Sequence, residues 1–375
     1  MSGANDGHVP GSSHHSASGG EALAPRGVMV TGGAGFIGSN FVRMLLKGEL
    51  GDGPVARVVN VDALTYAGNL ENLADVAGDA RHTFIRADIC DTDAMTAACR
   101  AHGVEAIINF AAESHVDRSI TGPHAFVKTN VEGTLSLLLA ARDAGVKRFV
   151  QISTDEVYGS LGETGAFTED TSLDPHSPYS ASKAGADHLV LAFGTTYGLP
   201  VQITRCSNNY GPFQFPEKMI PLMIHNARQD KPLPVYGDGR NVRDWIHVED
   251  HCRAIWAVLT RGRTQRVYNI GGSGERGGGG RGSCERSNLE VVRAILAAMG
   301  KPESFLTFVK DRPGHDFRYA IDSSRVRAET GWKPAVDFET GLTRTIEWYL
   351  GNSSWLDHVT SGAYQKYYEQ MYAGR

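Results

Sequence analysis

Apolar positions along this chain keep two rhythms that take turns. Val28-Met29-Val30 is a short, wholly apolar run, the mark of a strand buried on both faces. Thr31-Gly32-Gly33-Ala34-Gly35-Phe36-Ile37-Gly38 follows at once. Phe36, Ile37, Phe41, Val42, Leu45 and Leu46 then recur at helical spacing. The alternation repeats down the chain. Val58 to Val61 predicts a second strand, ending at Asp62, and Thr83 to Ala87 a third, ending at Asp88. A helix is expected over about 91–102, a fourth strand over 106–110, a helix over about 125–144 and a fifth strand over 148–152. A helix from Tyr179 to about Tyr197 and a strand from Val201 to Thr204 complete the series. Strands alternating with helices predict a Rossmann-type, doubly wound α/β fold with a parallel sheet and right-handed crossovers.

From Cys206 onward the pattern loosens. Short strands are expected over 233–236, 245–247, 267–270 and 306–309, with helices near 219–228, 248–259, 289–299 and 338–350. These predict a smaller C-terminal α/β lobe over about 206–355, set against a cofactor-binding domain over 26–205. One strand or helix of the second range could return to the first sheet. A cleft between the two is the natural place for a substrate. The Gly/Ser-rich leader, 1–25, is expected to be disordered, and 356–375 to be a tail.

Composition narrows the class. The 375 residues, 41% of them hydrophobic, suffice for one large core and a smaller lobe. A formal charge of −5 gives no basic footprint for nucleic acid. No apolar run approaches the roughly 20 residues that span a membrane, and no signal-type order of residues opens the chain. Cys90, Cys99, Cys206, Cys252 and Cys284 are odd in number and lack metal-ligand spacing, so a reduced cytoplasmic enzyme without a metal is expected. His14 and His15 lie in the leader and are not read as ligands.

Candidate chemistry collects where strands end. Gly32, Gly35 and Gly38 form a G-x-x-G-x-x-G turn between strand and helix. Such a turn lets a pyrophosphate approach the free N–H groups of a helix N-terminus. Asp62 could accept hydrogen bonds from an adenosine ribose and would repel a 2′-phosphate, which favours NAD over NADP; it could also be a cap or turn residue. Ligands of these sheets sit at the C-terminal strand ends, and Gly32, Asp62, Asp88, Ala111 and Thr154 all fall there.

Thr154-Asp155-Glu156 follows the apolar run Phe149 to Ile152, while Tyr179 and Lys183 stand four apart on one helical face. A lysine so placed is expected to depress the phenol's pKa, letting Tyr179 take a proton from an alcohol as hydride leaves for NAD. Thr154 could bond the same oxygen. Once a ketone exists, the neighbouring C–H is acidic. One of Asp155 and Glu156 could remove that proton while the other, protonated, donates to a departing hydroxyl. From spacing alone, Asp155 could instead cap a loop and Glu156 be a surface acid. Arg243 and Arg312 are candidate diphosphate clamps or surface salt-bridge partners.

Thr31 to Gly38, together with Tyr179-x-x-x-Lys183, resembles the extended short-chain dehydrogenase/reductase superfamily. Asp62 to Leu70, Ala111 to Ser119, Ser153 to Gly159 and Arg205 to Pro212 are similar to stretches of the dTDP-glucose 4,6-dehydratases. So are Pro216-Glu217-Lys218, Tyr236 to Gly239, Asn241 to Trp245 and Asp311 to Asp316. The likeness runs from Val28 to about Tyr349. It implies that Tyr179, aided by Lys183 and Thr154, oxidises C4 of the sugar. Glu156 would then take the C5 proton, Asp155 would protonate the leaving C6 hydroxyl, and hydride would return to C6. It implies a tightly bound, recycled NAD held by Gly32, Gly35, Phe36, Ile37, Gly38, Asp62, Asp88, Ile89, Ala111, Ala112, Thr129, Tyr179 and Lys183. It places the nucleotide-sugar substrate against Ser114, His115, Thr154, Asn208, Lys218, Arg243, Asn269, Arg312 and His315. A homodimer through a four-helix interface, from the helices near 125–144 and 179–197, is implied too.

A UDP-sugar 4,6-dehydratase and a 4-epimerase of the same superfamily are the alternatives. An epimerase has no elimination for Asp155 and Glu156 to catalyse. An NAD-binding scaffold without activity is a further alternative, against which the complete Thr-Asp-Glu-Tyr-Lys set argues. One departure from the family is Ser273 to Arg286, an apparent insertion with glycines at 277–280, expected to be a flexible loop. An RNA-binding reading of that loop would have only Arg276, Arg281 and Arg286 behind it.

Overall fold

Every residue of the strand Gly27–Thr31 (β1) is buried, as its apolar run requires. The chain turns at Gly32 into the helix Phe36–Lys47 (α1), which ends in a left-handed Gly48. The computed structural model describes residues 22–51, 53, 55–273, 284–311 and 313–362. Arg57–Asp62 (β2) and His82–Arg86 (β3) follow, then Thr92–His102 (α2), capped by the Asp91 side chain on the Ala94 N–H. Next come Ala106–Asn109 (β4), Val116–Thr121 (α3), Pro123–Phe126 (α4) and, beyond a π-helical segment over Val127–Glu132, Gly133–Asp143 (α5). Arg148–Thr154 (β5) leads through a short 3-10 turn to Pro178–Tyr197 (α6). A Ser177/Ser180 capping box and Pro178 in the first turn start α6.

Val201–Cys206 (β6) and Asn208–Tyr210 (β7) precede Met219–Arg228 (α7), Leu233–Tyr236 (β8), Val242–His247 (β9), Val248–Arg261 (α8) and Arg266–Ile270 (β10). Glu285–Ser287 (β11), Asn288–Ala298 (α9), Leu306–Val309 (β12), Ser324–Thr330 (α10), Phe338–Gly351 (α11) and Ser353–Val359 (α12) complete the described chain.

Seven strands form one parallel sheet in the order β10-β6-β5-β4-β1-β2-β3. The order reverses between β1 and β4, which opens a crevice above their C-terminal ends. Helices cover both faces. Phe41, Leu45 and Leu46 of α1 pack beside Cys252, Ile255 and Trp256 of α8 on one side. Met95 of α2, Leu137 and Leu138 of α5, and Val190 and Phe193 of α6 pack on the other. A third apolar cluster, with Ile224 of α7, Val235 of β8, Ile295 of α9, Ile346 of α11 and Leu356 of α12, is the core of the smaller lobe.

The structure departs from the sequence reading at several points. Within the range assigned to the lobe, from which one strand or helix was expected to return, both strand β10 and helix α8 belong to the large sheet and its layer. The helix expected over about 125–144 begins at Pro123 and widens to π geometry at Val127–Glu132. Within residues 22–25, placed in the leader, Leu23 packs on the core and its N–H donates to the Thr260 carbonyl at 2.9 Å. Helix α12, with buried Trp355 and Leu356, runs into the expected tail. Of the apparent insertion, Ser273 and Cys284 to Arg286 are described and anchored. Ser273 donates from N and Oγ to the Asp244 carboxylate, and β11 pairs with β9. The loop expectation for 274–283 and the disorder expected over 1–21 lie outside the described residues. Among the described residues no helix is long and apolar enough to cross a membrane.

Candidate active site

The crevice at the strand reversal is a cavity of about 320 Å³. Its floor is the glycine turn. Gly32 has φ +68°, and a Cβ there would stand 2.7 Å from the Ala111 amide nitrogen, so only glycine lets β1 and the end of β4 approach so closely. Gly35 caps α1 without a side-chain hydrogen bond, and the first turn carries no acid. The N–H groups of Phe36, Ile37 and Gly38 therefore face the cavity with a positive dipole end behind them. Asp62 ends β2 at the same rim. It accepts from the Ala34 N–H at 2.9 Å and the Leu64 N–H at 2.8 Å, while burial raises its pKa. Asp88, Ile89, Ala111, Ala112, Ser114 and Thr129 line the same cavity. The crevice thus offers the free amides of a helix N-terminus, a carboxylate at the end of the neighbouring strand and an apolar wall. These residues fit a dinucleotide.

Thr154, Asp155, Glu156, Tyr179 and Lys183 close the other end of this cavity. Strand β5 ends at Thr154, whose hydroxyl accepts from the Glu156 N–H at 3.3 Å and lies 3.4 Å from Asp155 Oδ1. Helix α6 brings in Tyr179 and, one turn on, Lys183, which donates from Nζ to the Ile152 carbonyl at 2.5 Å. All but Glu156 are buried.

The electrostatics separate these groups. Burial first, then the neighbouring Glu156 and Asp244, push the Asp155 carboxyl well above the usual range, so Asp155 is built to hold a proton. The Tyr179 phenol is pushed up as well, by burial and then by Glu156, with the Thr154 hydroxyl acting the other way. The depression expected from Lys183 is not found: the phenol's pKa is raised. Burial lowers the pKa of Lys183 itself.

A second cavity, of about 160 Å³, adjoins the first and shares Glu156, Asn208, Glu217 and Lys218 with it. His115, Arg243 and His315 line it, beside Tyr236, Asn288 and the apolar Leu222 and Pro234. Lys218 donates to the Ser114 carbonyl at 2.7 Å. The Arg243 guanidinium donates to the Asp316 carbonyl at 3.0 Å and sits 4.4 Å from the centre of the Tyr319 ring. His315 Nδ1 and Asp311 are 2.6 Å apart. Burial brings the His115 pKa down to about 4.

Of the remaining expected substrate positions, one is described and one is not. Asn269 lines neither cavity: its Oδ1 accepts from the Tyr158 hydroxyl at 2.8 Å and its Nδ2 donates to the Phe167 carbonyl at 3.1 Å. It is a buried tie between β10 and the turn after β5. Arg312 lies outside the described residues.

Other residues at the site carried little sequence signal. The Glu217 carboxylate accepts from Tyr66 at 2.9 Å and from Arg118 at 3.2 Å, tying the loops after β2 and β4 to the lobe. Its place in Pro216-Glu217-Lys218 was the only hint. Asp244, fully buried beside Arg243, anchors Ser273 and acts on Asp155 from below. Among the described residues no group of three or more His, Cys, Asp or Glu gathers as a metal site would, and all five cysteines are free thiols.

A family model described as GDP-mannose 4,6 dehydratase matches residues 29–345. The dTDP-glucose 4,6-dehydratase of Xanthomonas campestris pv. campestris (strain B100) is 54% identical over 355 residues, 90% of this chain and 97% of that protein. The chain belongs to the dTDP-glucose 4,6-dehydratase family. A crystal structure of the family's Streptomyces venezuelae member, with NAD bound, superposes at a TM-score of 0.84 with 50% identity, covering 89% of this chain and 99% of the other. A UDP-glucose 4-epimerase of Thermotoga maritima, solved with UDP-glucose, shares the fold at 28% identity and a TM-score of 0.78, over 87% of this chain and 99% of that one. The likeness of fold therefore extends past the family, and the choice between dehydration and epimerisation rests on the site.

Proposed function

We propose that this chain is an NAD-dependent hydro-lyase that converts dTDP-glucose to dTDP-4-keto-6-deoxyglucose. The observation that carries the reading is the buried Asp155, poised to hold a proton, directly beside Glu156 and at the same end of the cavity as Tyr179. NAD, when bound, would supply the hydride acceptor for sugar C4 and, once reduced, the hydride donor for C6. Gly32, Gly35, Phe36, Ile37 and Gly38 would hold its pyrophosphate, and Asp62 its adenosine ribose. Asp88, Ile89, Ala111, Ala112 and Thr129 would wall its remaining length.

The chain's own groups move the protons. Tyr179 Oη takes the proton of the C4 hydroxyl, oriented by the Thr154 hydroxyl and helped by the Lys183 charge. The resulting ketone makes the C5 hydrogen acidic, and Glu156 removes it. Asp155 gives its proton to the C6 hydroxyl, which leaves as water. As hydride reaches C6, Glu156 returns a proton to C5. The nucleotide diphosphate would lie in the second cavity, against Arg243, Lys218 and Asn208, with His115 and His315 beside it. Ser114 would meet the sugar. The apolar Leu222 and Pro234 there favour thymidine, which carries one methyl more than uridine.

The product in heavy water tests this. Incubation with dTDP-glucose in D2O should give a 4-keto sugar with deuterium at C5 and a methyl at C6, and UDP-glucose should turn over more slowly. A 4-epimer that keeps its C5 hydrogen would instead make the chain an epimerase.

The protein would act in the cytoplasm as a homodimer through a four-helix face. Val127 and Tyr197, both more than half exposed on the helices concerned, support this reading. Sedimentation equilibrium should give twice the chain mass, and a monomer at micromolar concentration would contradict it.

A further inference from the structure

Tyr179, Lys183 and Asp187 succeed one another at four-residue steps along α6, so they project from one face of the helix. Exposure falls down the series, from 8% at Tyr179 and 4% at Lys183 to 0% at Asp187. The Lys183 ammonium finds an uncharged acceptor, the Ile152 carbonyl, which does little to offset the loss of water around a buried cation. One turn below, Asp187 Oδ2 accepts from Arg205 Nε at 2.9 Å, in an ion pair with both partners at most 4% exposed. Asp187 Oδ1 is buried and makes no hydrogen bond among the described residues.

Arg205 stands opposite Ser153 in the β5·β6 pairing, next to Thr154, with its guanidinium 4.9 Å from the centre of the Tyr158 ring. The titratable groups facing Lys183 are Tyr179 and Asp187 on its own helix and Cys206 from β6. Burial pushes the Cys206 thiol up to about 12, so it carries no charge near neutral pH. Strand β5 offers only its backbone. Asp187 is thus the charge that can balance Lys183.

We propose that Asp187 is a positioning residue for the first proton transfer: its carboxylate, paired with Arg205 and one helical turn from Lys183, keeps the Lys183 ammonium charged and in place beside Tyr179. The inference rests on the roles given to Tyr179 and Lys183 above. The opposing account is that Asp187 does no more than neutralise Arg205. The two separate in the paired variant Asp187→Asn/Arg205→Met, which removes the ion pair together and leaves only Lys183 without a counter-charge.

The experiment is single-turnover formation of NADH with dTDP-glucose between pH 6.5 and 9, beside thermal unfolding over the same range. The paired variant should lose about tenfold or more in rate at pH 9 relative to pH 7, beyond any change in the wild type. Its thermal stability should also rise with pH relative to wild type, because a neutral Lys183 in the folded state binds fewer protons than in the unfolded chain. Asp187→Glu, which keeps the carboxylate, should restore the wild-type profile, and Asp187→Asn should not. A paired variant with the wild-type pH profile would overturn the proposal, as would Asp187→Glu behaving like Asp187→Asn. If that paired variant does not fold, Asp187→Asn/Arg205→Gln, which removes the same two charges, takes its place with the same expected and contrary outcomes. A wild type that forms no NADH would overturn the dehydratase reading rather than this one.

Discussion

At Asp155 stability and chemistry pull in opposite directions. Its pKa is raised, so the folded state prefers the neutral carboxyl. Its stabilising share is complete below the unfolded carboxylate pKa and is lost as pH rises through the folded value. Asp155→Asn removes the ionisation and keeps the shape. The variant should therefore be the more stable protein at alkaline pH, with the gap widening as pH rises. Turnover should meanwhile fall by roughly 10²–10⁴, the usual worth of a general acid. Thermal unfolding at pH 6 and 9 together with product assays checks both, and a variant destabilised at pH 9 would contradict the assigned charge state. The Thr154-Asp155-Glu156 and Tyr179/Lys183 sets were legible because they are contiguous or one helical turn apart. Asp187 obeys the same spacing but went unread, because its partner Arg205 lies on another strand. Asn269, a motif residue at a strand end, is bonded through its side chain to Tyr158 and Phe167, partners that no local pattern reports.

At the scale of elements, the glycine turn is what lets β1, α1 and β4 share a rim. Gly32→Ala should cost about 1–3 kcal/mol in backbone strain and force Ala111 outward. Gly48 also has a positive φ, +73°, but nothing lies within 4 Å of a Cβ there. Gly48→Ala should cost only about 1 kcal/mol. The comparison to make is bound NAD by calorimetry: weakened in the first variant, unchanged in the second. Equal affinities would remove the turn from the proposed pyrophosphate site. Long periodic elements such as α1, α6, α7 and α11 were readable from their apolar spacing. Strands β7 and β11 have three residues each and exist through pairing with β9, which no local pattern reports. The start of β9 at Val242 was missed likewise, since its partner residues lie beyond the 274–283 segment.

Across the whole molecule, the sheet takes β10 and α8 back from the second half of the chain, so the core and the lobe stand or fall together. Buried histidines lie in both halves. Burial brings His115, His225 and His247 down to about 4 and His251 to about 3. Each is neutral when folded and takes a proton more readily when unfolded. Each therefore contributes stability that is complete above an unfolded pKa near 6.5 and is lost as pH falls toward the folded value. Melting temperature should drop steeply between pH 6.5 and 4, and His251→Gln should flatten that drop; a melting temperature level over this window would contradict these burials.

The central claim is a division of labour, with Tyr179, Lys183 and Thr154 making a ketone that Asp155 and Glu156 use to expel water. Glu156→Gln tests it most directly, mixed once with dTDP-glucose in D2O while NADH absorbance and C5 deuterium are followed together. The account predicts that NADH forms and persists while C5 takes up no deuterium and no 4-keto-6-deoxy product appears. Full dehydration by Glu156→Gln, or loss of NADH formation along with the exchange, would contradict it.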